Sequence, residues 1–243
     1  MLRLTAAAVA LSTGICANAT VLIDFGNDSS FRGVSVAEPD EKGNYWTSVW
    51  SGSFYANIVD SDNNATVIDF GFDGAPAGTD YFNGPSGATN DPSAVVVDDV
   101  ALGSLSADAA VFDYYVGDSD DPLRFQIQQL DPTKTYNLEF FGSHKFNPGS
   151  NTTRYAVYTD NTYTDLVASA DLIVGVNSAH NQGTIATISD VAPQASNILY
   201  VEVQAIDGSN GYLNALRLTE VPEPGSLALI TAGIVAVGAR RRG

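Results

Sequence analysis

Side chains able to do chemistry are unevenly supplied in this chain of 243 residues: two imidazoles, His144 and His180, one thiol, Cys16, and 28 Asp and Glu residues. Nucleophilic catalysis needs a nucleophile, a base and an orienting group in contact. Ser143 and His144 are neighbours, but adjacent strand residues point to opposite faces. No G-x-S-x-G elbow occurs. Glycoside hydrolysis needs only two facing carboxylates, and 28 acids offer many pairs, but such abundance is also what solvated surface charge looks like. Two His and one Cys are too few for a four-ligand Cys/His zinc centre, and a single Cys forms no disulfide within the chain. The sequence reads as a non-enzyme.

Oxygen ligands for a hard cation are better represented. Asp60-Ser61-Asp62-Asn63-Asn64 opens like an EF-hand loop, with Asp60, Asp62 and Asn64 as candidate calcium ligands. Ala65 stands where that loop needs Gly, and no Glu follows at its twelfth position. Asp118-Ser119-Asp120-Asp121 is a second cluster, with Asp118 and Asp120 as candidate ligands, and Asp98-Asp99 a third. The alternative is solvated acidic turns that add solubility. For sugars, aromatic rings supply stacking faces and a few polar groups fix orientation. Tyr45, Trp46, Trp50, Phe54 and Tyr55 form the densest aromatic run. Trp46 and Trp50 are four apart and would share a face of a strand. Trp46, Trp50, Tyr55 and Tyr81 are the candidate stacking residues, against the reading that large aromatics are core. Arg154 is a candidate polar contact that could instead pair with an acid. Asn214 is another, with a turn or core amide as its alternative.

The elements that must position these residues alternate with period two. Asn197 to Ile206 sets Leu199, Val201, Val203 and Ala205 against Tyr200, Glu202 and Gln204, the pattern of a half-buried strand. Leu123 to Gln128 and Lys134 to Phe141 do the same. Further strands are expected at 21–25, 65–72, 94–100, 109–115, 153–158, 172–176, 184–189 and 212–219. Asp-Pro, Asn-Pro-Gly and Asp-Gly pairs punctuate them. The spacing predicts an all-β antiparallel sandwich, long enough to bury a core without disulfides. Ile23-Asp24-Phe25-Gly26 recurs as Ile68-Asp69-Phe70-Gly71, and two copies do not make a solenoid. Gly74 to Pro92 reads as a long loop. No linker divides residues 20–220, so they are expected to form one domain.

The formal net charge is −17, which argues against nucleic acid and against docking on anionic lipid. Residues 1–19 read as a signal peptide for signal peptidase: Arg3, an apolar run from Leu4 to Leu11, and the Ala17-Asn18-Ala19 cleavage site. At the other end, residues 221–243 combine Pro222-Glu223-Pro224, an apolar run from Leu227 to Ala239 and Arg240-Arg241-Arg242. The run is short for a span of ~20 residues. This arrangement resembles the PEP-CTERM sorting signal. The resemblance implies transient insertion of a short C-terminal hydrophobic helix into the inner membrane. It further implies processing by an exosortase, much as a GPI signal is processed, and residence at the cell surface or in the extracellular matrix of a Gram-negative bacterium. Loss of the signal peptide and of the tail beyond Glu223 leaves 7 basic against 28 acidic residues, a net charge of −21, and no Cys.

Leu130-Asp131-Pro132-Thr133-Lys134-Thr135-Tyr136, Leu138 to Ser143, Thr152 to Tyr155 and Gly211 to Leu216 together resemble an accessory module of environmental bacteria. Ile23 to Gly26 and Gly43 to Trp46 fit as well. That module is similar to galactose-binding-like and carbohydrate-binding jelly rolls. It implies a secreted, non-catalytic protein that binds or organises extracellular polysaccharide, with calcium as a possible ligand. A purely structural matrix protein, and a glycan hydrolase or lyase, are the alternatives.

Overall fold

The computed structural model describes residues 20–30, 33–50, 53–73, 81–82, 96–144, 149–177, 179–208 and 210–221. The expected signal helix, the C-terminal helix and all of the expected long loop except 81–82 lie outside the described residues. Among the described residues no helix is long and apolar enough to cross a membrane.

Two sheets carry the fold. The five-stranded sheet has the order β12 (Ala186–Val191), β8 (Thr135–Phe141), β15 (Ala215–Val221), β1 (Thr20–Asp24) and β2 (Thr47–Ser48). The seven-stranded sheet has the order β11 (Ala179–His180), β10 (Leu166–Val176), β9 (Ser150–Tyr158), β13 (Leu199–Asp207), β7 (Leu123–Gln128), β4 (Asp69–Phe72) and β3 (Phe54–Tyr55). A three-stranded sheet joins β14 (Gly211–Leu213), β6 (Asp113–Gly117) and β5 (Tyr81–Phe82). Neighbours are antiparallel except β1 and β2. This is the expected all-β sandwich.

Alternation produces the core. Leu123, Phe125 and Ile127 of β7 lie opposite Val203, Val201 and Leu199 of β13. They meet Ile23, Leu138, Phe140, Leu216 and Leu218 from the five-stranded sheet, all buried. Rings concentrate at one point: Phe25 touches Phe70 edge-on at 5.8 Å and Phe125 at 5.3 Å. Truncating any of these rings to Ala costs about 3–5 kcal/mol. The Ile-Asp-Phe-Gly repeat therefore marks two strands whose phenylalanines converge, β1 (running into Phe25) and β4.

A second, smaller core covers the opposite face of the five-stranded sheet. Leu22, Phe141 and Ala215 point into it, and Val36, Trp46, Leu102 and Phe112 close over them. Here the sequence expectation of a strand at 94–100 fails. Asp98 accepts hydrogen bonds from the amides of Val100 and Ala101, both at 3.0 Å, and this cap turns the chain into the short helix α1 (Asp99–Leu102). The strand expected at 109–115 starts only at Asp113, and that expected at 65–72 only at Asp69.

Asp24 lies two residues beyond Leu22 and faces the same second core. It is fully buried, and neither carboxylate oxygen has a hydrogen-bond partner among the described residues. Burial pushes its pKa well above the ordinary range; the Ser48 hydroxyl and Val36 amide pull the other way without reaching hydrogen-bond geometry, and the charge of Asp28 adds to the rise. The Val36 amide instead donates to Ser48 Oγ at 3.1 Å.

The strand expected at 212–219 is broken at Asn214, between β14 and β15. Its amide N–H donates to Phe141 O and its carbonyl accepts from Phe25 N–H, both at 2.9 Å. Its side chain accepts from Ser143 N–H at 2.8 Å and donates to Val111 O and Asp113 O at 3.1 and 2.8 Å.

Replacing Asn214 by Ala strands three buried backbone groups and is expected to cost about 3–5 kcal/mol in urea unfolding; a loss under about 1 kcal/mol would contradict this account. A carboxyl whose folded pKa exceeds its unfolded value costs nothing while both states are protonated, and costs more as pH rises from about 4 toward the folded value. Asp24→Asn is therefore expected to melt a few degrees above the parent at pH 7, with the gap closing as pH falls to about 4. A gap that is constant with pH would show that ionisation of Asp24 is not the cause.

Candidate functional site

An open groove of about 630 Å³ runs between the 35–38 segment, β2 and the 54–59 segment. Ser35, Glu38, Ser48, Phe54, Tyr55 and Asn57 are among its lining residues. Its hydroxyls are anchored: Ser35 Oγ accepts from Asp28 N–H at 3.2 Å and Tyr55 OH from Trp50 N–H at 2.7 Å. Glu38 is the only acid among the lining residues, and no imidazole lines it. Phe54 is 58% exposed and Trp50 is 42% exposed. The ring of Phe54 lies over Gly71 of β4, where a Cβ would come within 3.0 Å of it.

The aromatic run thus divides. Trp46, expected to stack on a ligand, is among the residues lining the groove, but its ring is almost wholly buried in the second core and donates Nε1–H to Asp40 Oδ2 at 2.8 Å. The expected shared strand face does not exist, because only Thr47–Ser48 is extended there and Trp50 lies beyond it, turned to solvent. Tyr55 faces inward, half-buried, 6.4 Å from the ring of Phe70. Tyr81 of β5 pairs with Tyr114 of β6, and its side chain lies outside the described part. Asn214, also expected at a ligand, is buried and spends its hydrogen bonds on the fold. Arg154 makes a bidentate pair with Asp171 at 2.8 and 3.0 Å.

The acidic turns use their carboxylates locally. Asp60 Oδ1 accepts from the amides of Asp62 and Asn64 at 3.0 and 2.8 Å, and the Asn64 side-chain amide donates to both oxygens. Asp118 Oδ1 accepts from the amides of Asp120 and Asp121. Among the described residues no three His, Cys, Asp or Glu side chains converge on a point that could hold a metal. The two imidazoles lie apart from the groove. His144 stacks on Tyr212 at 4.2 Å, and burial lowers its pKa to about 4. His180 Nε2 is 3.3 Å from Val96 O.

Sequence reasoning missed a three-fold use of one loop. Asp40 accepts from the amides of Lys42 and Asn44, as Asp60 does from Asp62 and Asn64. Asp160 accepts from those of Thr162 and Thr164. In each, the fourth residue has positive φ: Gly43 at 87°, Asn63 at 66° and Tyr163 at 56°. The Asp-x-x-x-Asn spacing of the first two was visible in the sequence; the third, ending in Thr, was masked by its own variation.

It also missed what the third of these loops, through Tyr163, touches. On the outer face of the seven-stranded sheet, Arg124 pairs with Glu202, its Nε at 2.8 Å and its second nitrogen at 2.6 Å from Oε2. Tyr163 lies over that guanidinium, 4.3 Å from ring centroid to carbon, and donates its hydroxyl to Asp73 Oδ2 at 2.9 Å. It meets Tyr158 and Tyr200 edge-on at 5.4 and 6.0 Å. Alternation placed Arg124 and Glu202 outward, but only the pairing register brings them together.

No curated protein matches the chain. Residues 220–242, which contain the Pro-Glu-Pro motif at Pro222, Glu223 and Pro224 and the arginines Arg240, Arg241 and Arg242, match the PEP-CTERM protein-sorting motif. These residues from 222 onward lie outside the described part, directly after β15. The motif indicates a secreted surface protein sorted with an exosortase as its processing partner.

Proposed function

We propose that this is a non-catalytic polysaccharide-binding protein of the cell surface or extracellular matrix, with the groove beside Phe54 as a contact site. The observation that carries the reading is the exposed ring of Phe54 in the lining of the groove, with the exposed Trp50 bonded through its backbone N–H to the Tyr55 hydroxyl of that lining. Large aromatics left in water beside hydroxyls and amides suit the mixed faces of sugar rings. A single carboxylate in the lining supports binding over hydrolysis, which needs an acid and a second facing carboxylate. The likeness of the sequence to galactose-binding-like and carbohydrate-binding modules points the same way, and a sorting signal for the cell surface is in keeping with it. A purely structural matrix protein would bury both tryptophans. Trp46 meets that condition and Trp50 does not.

Affinity electrophoresis of the full chain in gels containing a panel of polysaccharides, with and without calcium, tests the reading. Retardation is expected on at least one polymer, and Trp50→Ala or Phe54→Ala is expected to weaken it about tenfold, the order of one aromatic contact. No retardation on any polymer would remove the binding claim. Retardation that needs calcium would place a cation between protein and glycan. For sorting, Glu223→Ala is expected to leave uncleaved precursor in the membrane fraction on an immunoblot, whereas cleavage at the parental rate would show that the motif is not the signal read.

A further inference from the structure

Cross-strand register assembles one continuous row on the outer face of the seven-stranded sheet. Tyr158 of β9 lies opposite Tyr200 of β13, and Tyr200 opposite Gln126 of β7. Gln126 lies opposite Gly71 of β4, and Gly71 opposite Phe54 of β3. The row crosses five strands, about 19 Å at the usual spacing of neighbouring strands. Aromatic rings stand at both ends. Gly71 lies beneath the Phe54 ring, and between the ends Gln126 and Gln128 supply amides joined by one hydrogen bond at 2.9 Å.

Tyr163 stands at the tyrosine end in a conformation that a bulky side chain rarely adopts. The other two loops of the same design place Gly43 and Asn63 at that position, residues that tolerate it. The third keeps a tyrosine there despite the strain. Strain held at one residue is a pointer to function. The ring it holds is partly open to solvent.

The two arginines of this face are already paired, and Asp69 and Asp73 add carboxylates beyond those pairs. Arg124 is paired with Glu202 and Arg154 with Asp171, so an anionic polymer would have to displace a carboxylate to reach a cation. Opposite Arg154 stands Gln204, another amide. Stacking rings, amides with both donor and acceptor atoms, and arginines already committed to carboxylates suit a hydroxyl-rich ligand without negative charge.

We propose that the outer face of the seven-stranded sheet, from Tyr163 to Phe54, binds a chain of uncharged polysaccharide laid across the strands. The proposal rests on the polysaccharide-binding reading and deepens it, since Phe54 belongs to both groove and platform. It gives the platform the length for several sugar rings and assigns Tyr163 as the residue that fixes one end.

The test is affinity electrophoresis of the full chain in gels containing hydroxyethylcellulose, xyloglucan or galactomannan, with alginate as the anionic comparison. At least one uncharged polymer is expected to retard the protein more than alginate does. Tyr163→Gly is expected to weaken that retardation at least tenfold; relief of the strained φ offsets part of the stability lost with the ring's contacts to Arg124, Asp73, Tyr158 and Tyr200, so the variant should still unfold in one cooperative transition. Tyr163→Phe keeps the ring and should stay within about threefold of the parent. Gln126→Ala, on a strand with no strain, should weaken binding severalfold without affecting folding. If an uncharged polymer retards the protein, Trp50→Ala weakens it, and neither Tyr163→Gly nor Gln126→Ala does, the platform is wrong and the groove reading stands. If only alginate retards it, the uncharged assignment is overturned. If no polymer retards it, the polysaccharide-binding reading itself fails and the platform falls with it.

Discussion

Between β14 and β15 the chain must leave one sheet and enter another without abandoning its backbone polar groups in a dry interior. Asn214 meets that demand. Its main chain continues the ladder to Phe141 and Phe25 while its amide closes on Ser143, Val111 and Asp113. Four separated segments are thereby fixed to one residue: the end of β1, the start of β6, the end of β8 and the β14–β15 junction. Only an uncharged amide offers both donor and acceptor in that space. The placement of β15 in the middle of the five-stranded sheet, and the closure of the second core beneath Phe141 and Ala215, follow from this junction.

The second core has a consequence for where binding can occur. A sandwich has two outer faces. Here one of them is closed by Trp46, Val36, α1 and the residues that follow α1, so Leu22 and Phe141 are buried on a side that an isolated sandwich would leave wet. The outward positions of the other sheet are Arg124, Gln126, Glu202 and Gln204 and their neighbours. Ion pairs there occupy Arg124 and Arg154. Acidic residues also occupy turns, where Asp40, Asp60, Asp118 and Asp160 organise backbone amides. The Thr162 hydroxyl and the amides around it hold Asp160 below the usual carboxylate range.

Much of the scaffold was legible in the sequence. The alternation of Leu123, Phe125 and Ile127, and of Leu199, Val201 and Val203, marks strands and their buried faces because period two maps directly onto geometry. The failures have a common cause in side chains that redirect the backbone. Asp98 caps a helix in a stretch of β-branched residues, and Asn214 interrupts a run that reads as one strand. The site was much less legible. Trp46 and Trp50 share a residue type and a neighbourhood, yet one fills a core and the other faces water, a choice set by Asp40 and by the segments packed over the five-stranded sheet. Arg124, Glu202, Tyr163 and Phe54 come together through register and loop placement, which no local pattern encodes.

β15 ends at Val221, and the sorting motif begins within its last two residues. No spacer separates the folded body from the segment that is processed. β15 is flanked on one side by β8 over seven residue pairs and on the other by β1 over five. If the chain is held at that end, traction from a polymer on the far sheet travels along β15 and loads both ladders in shear, so their hydrogen bonds must fail together rather than one at a time. The position of this strand makes the body suited to carrying mechanical force.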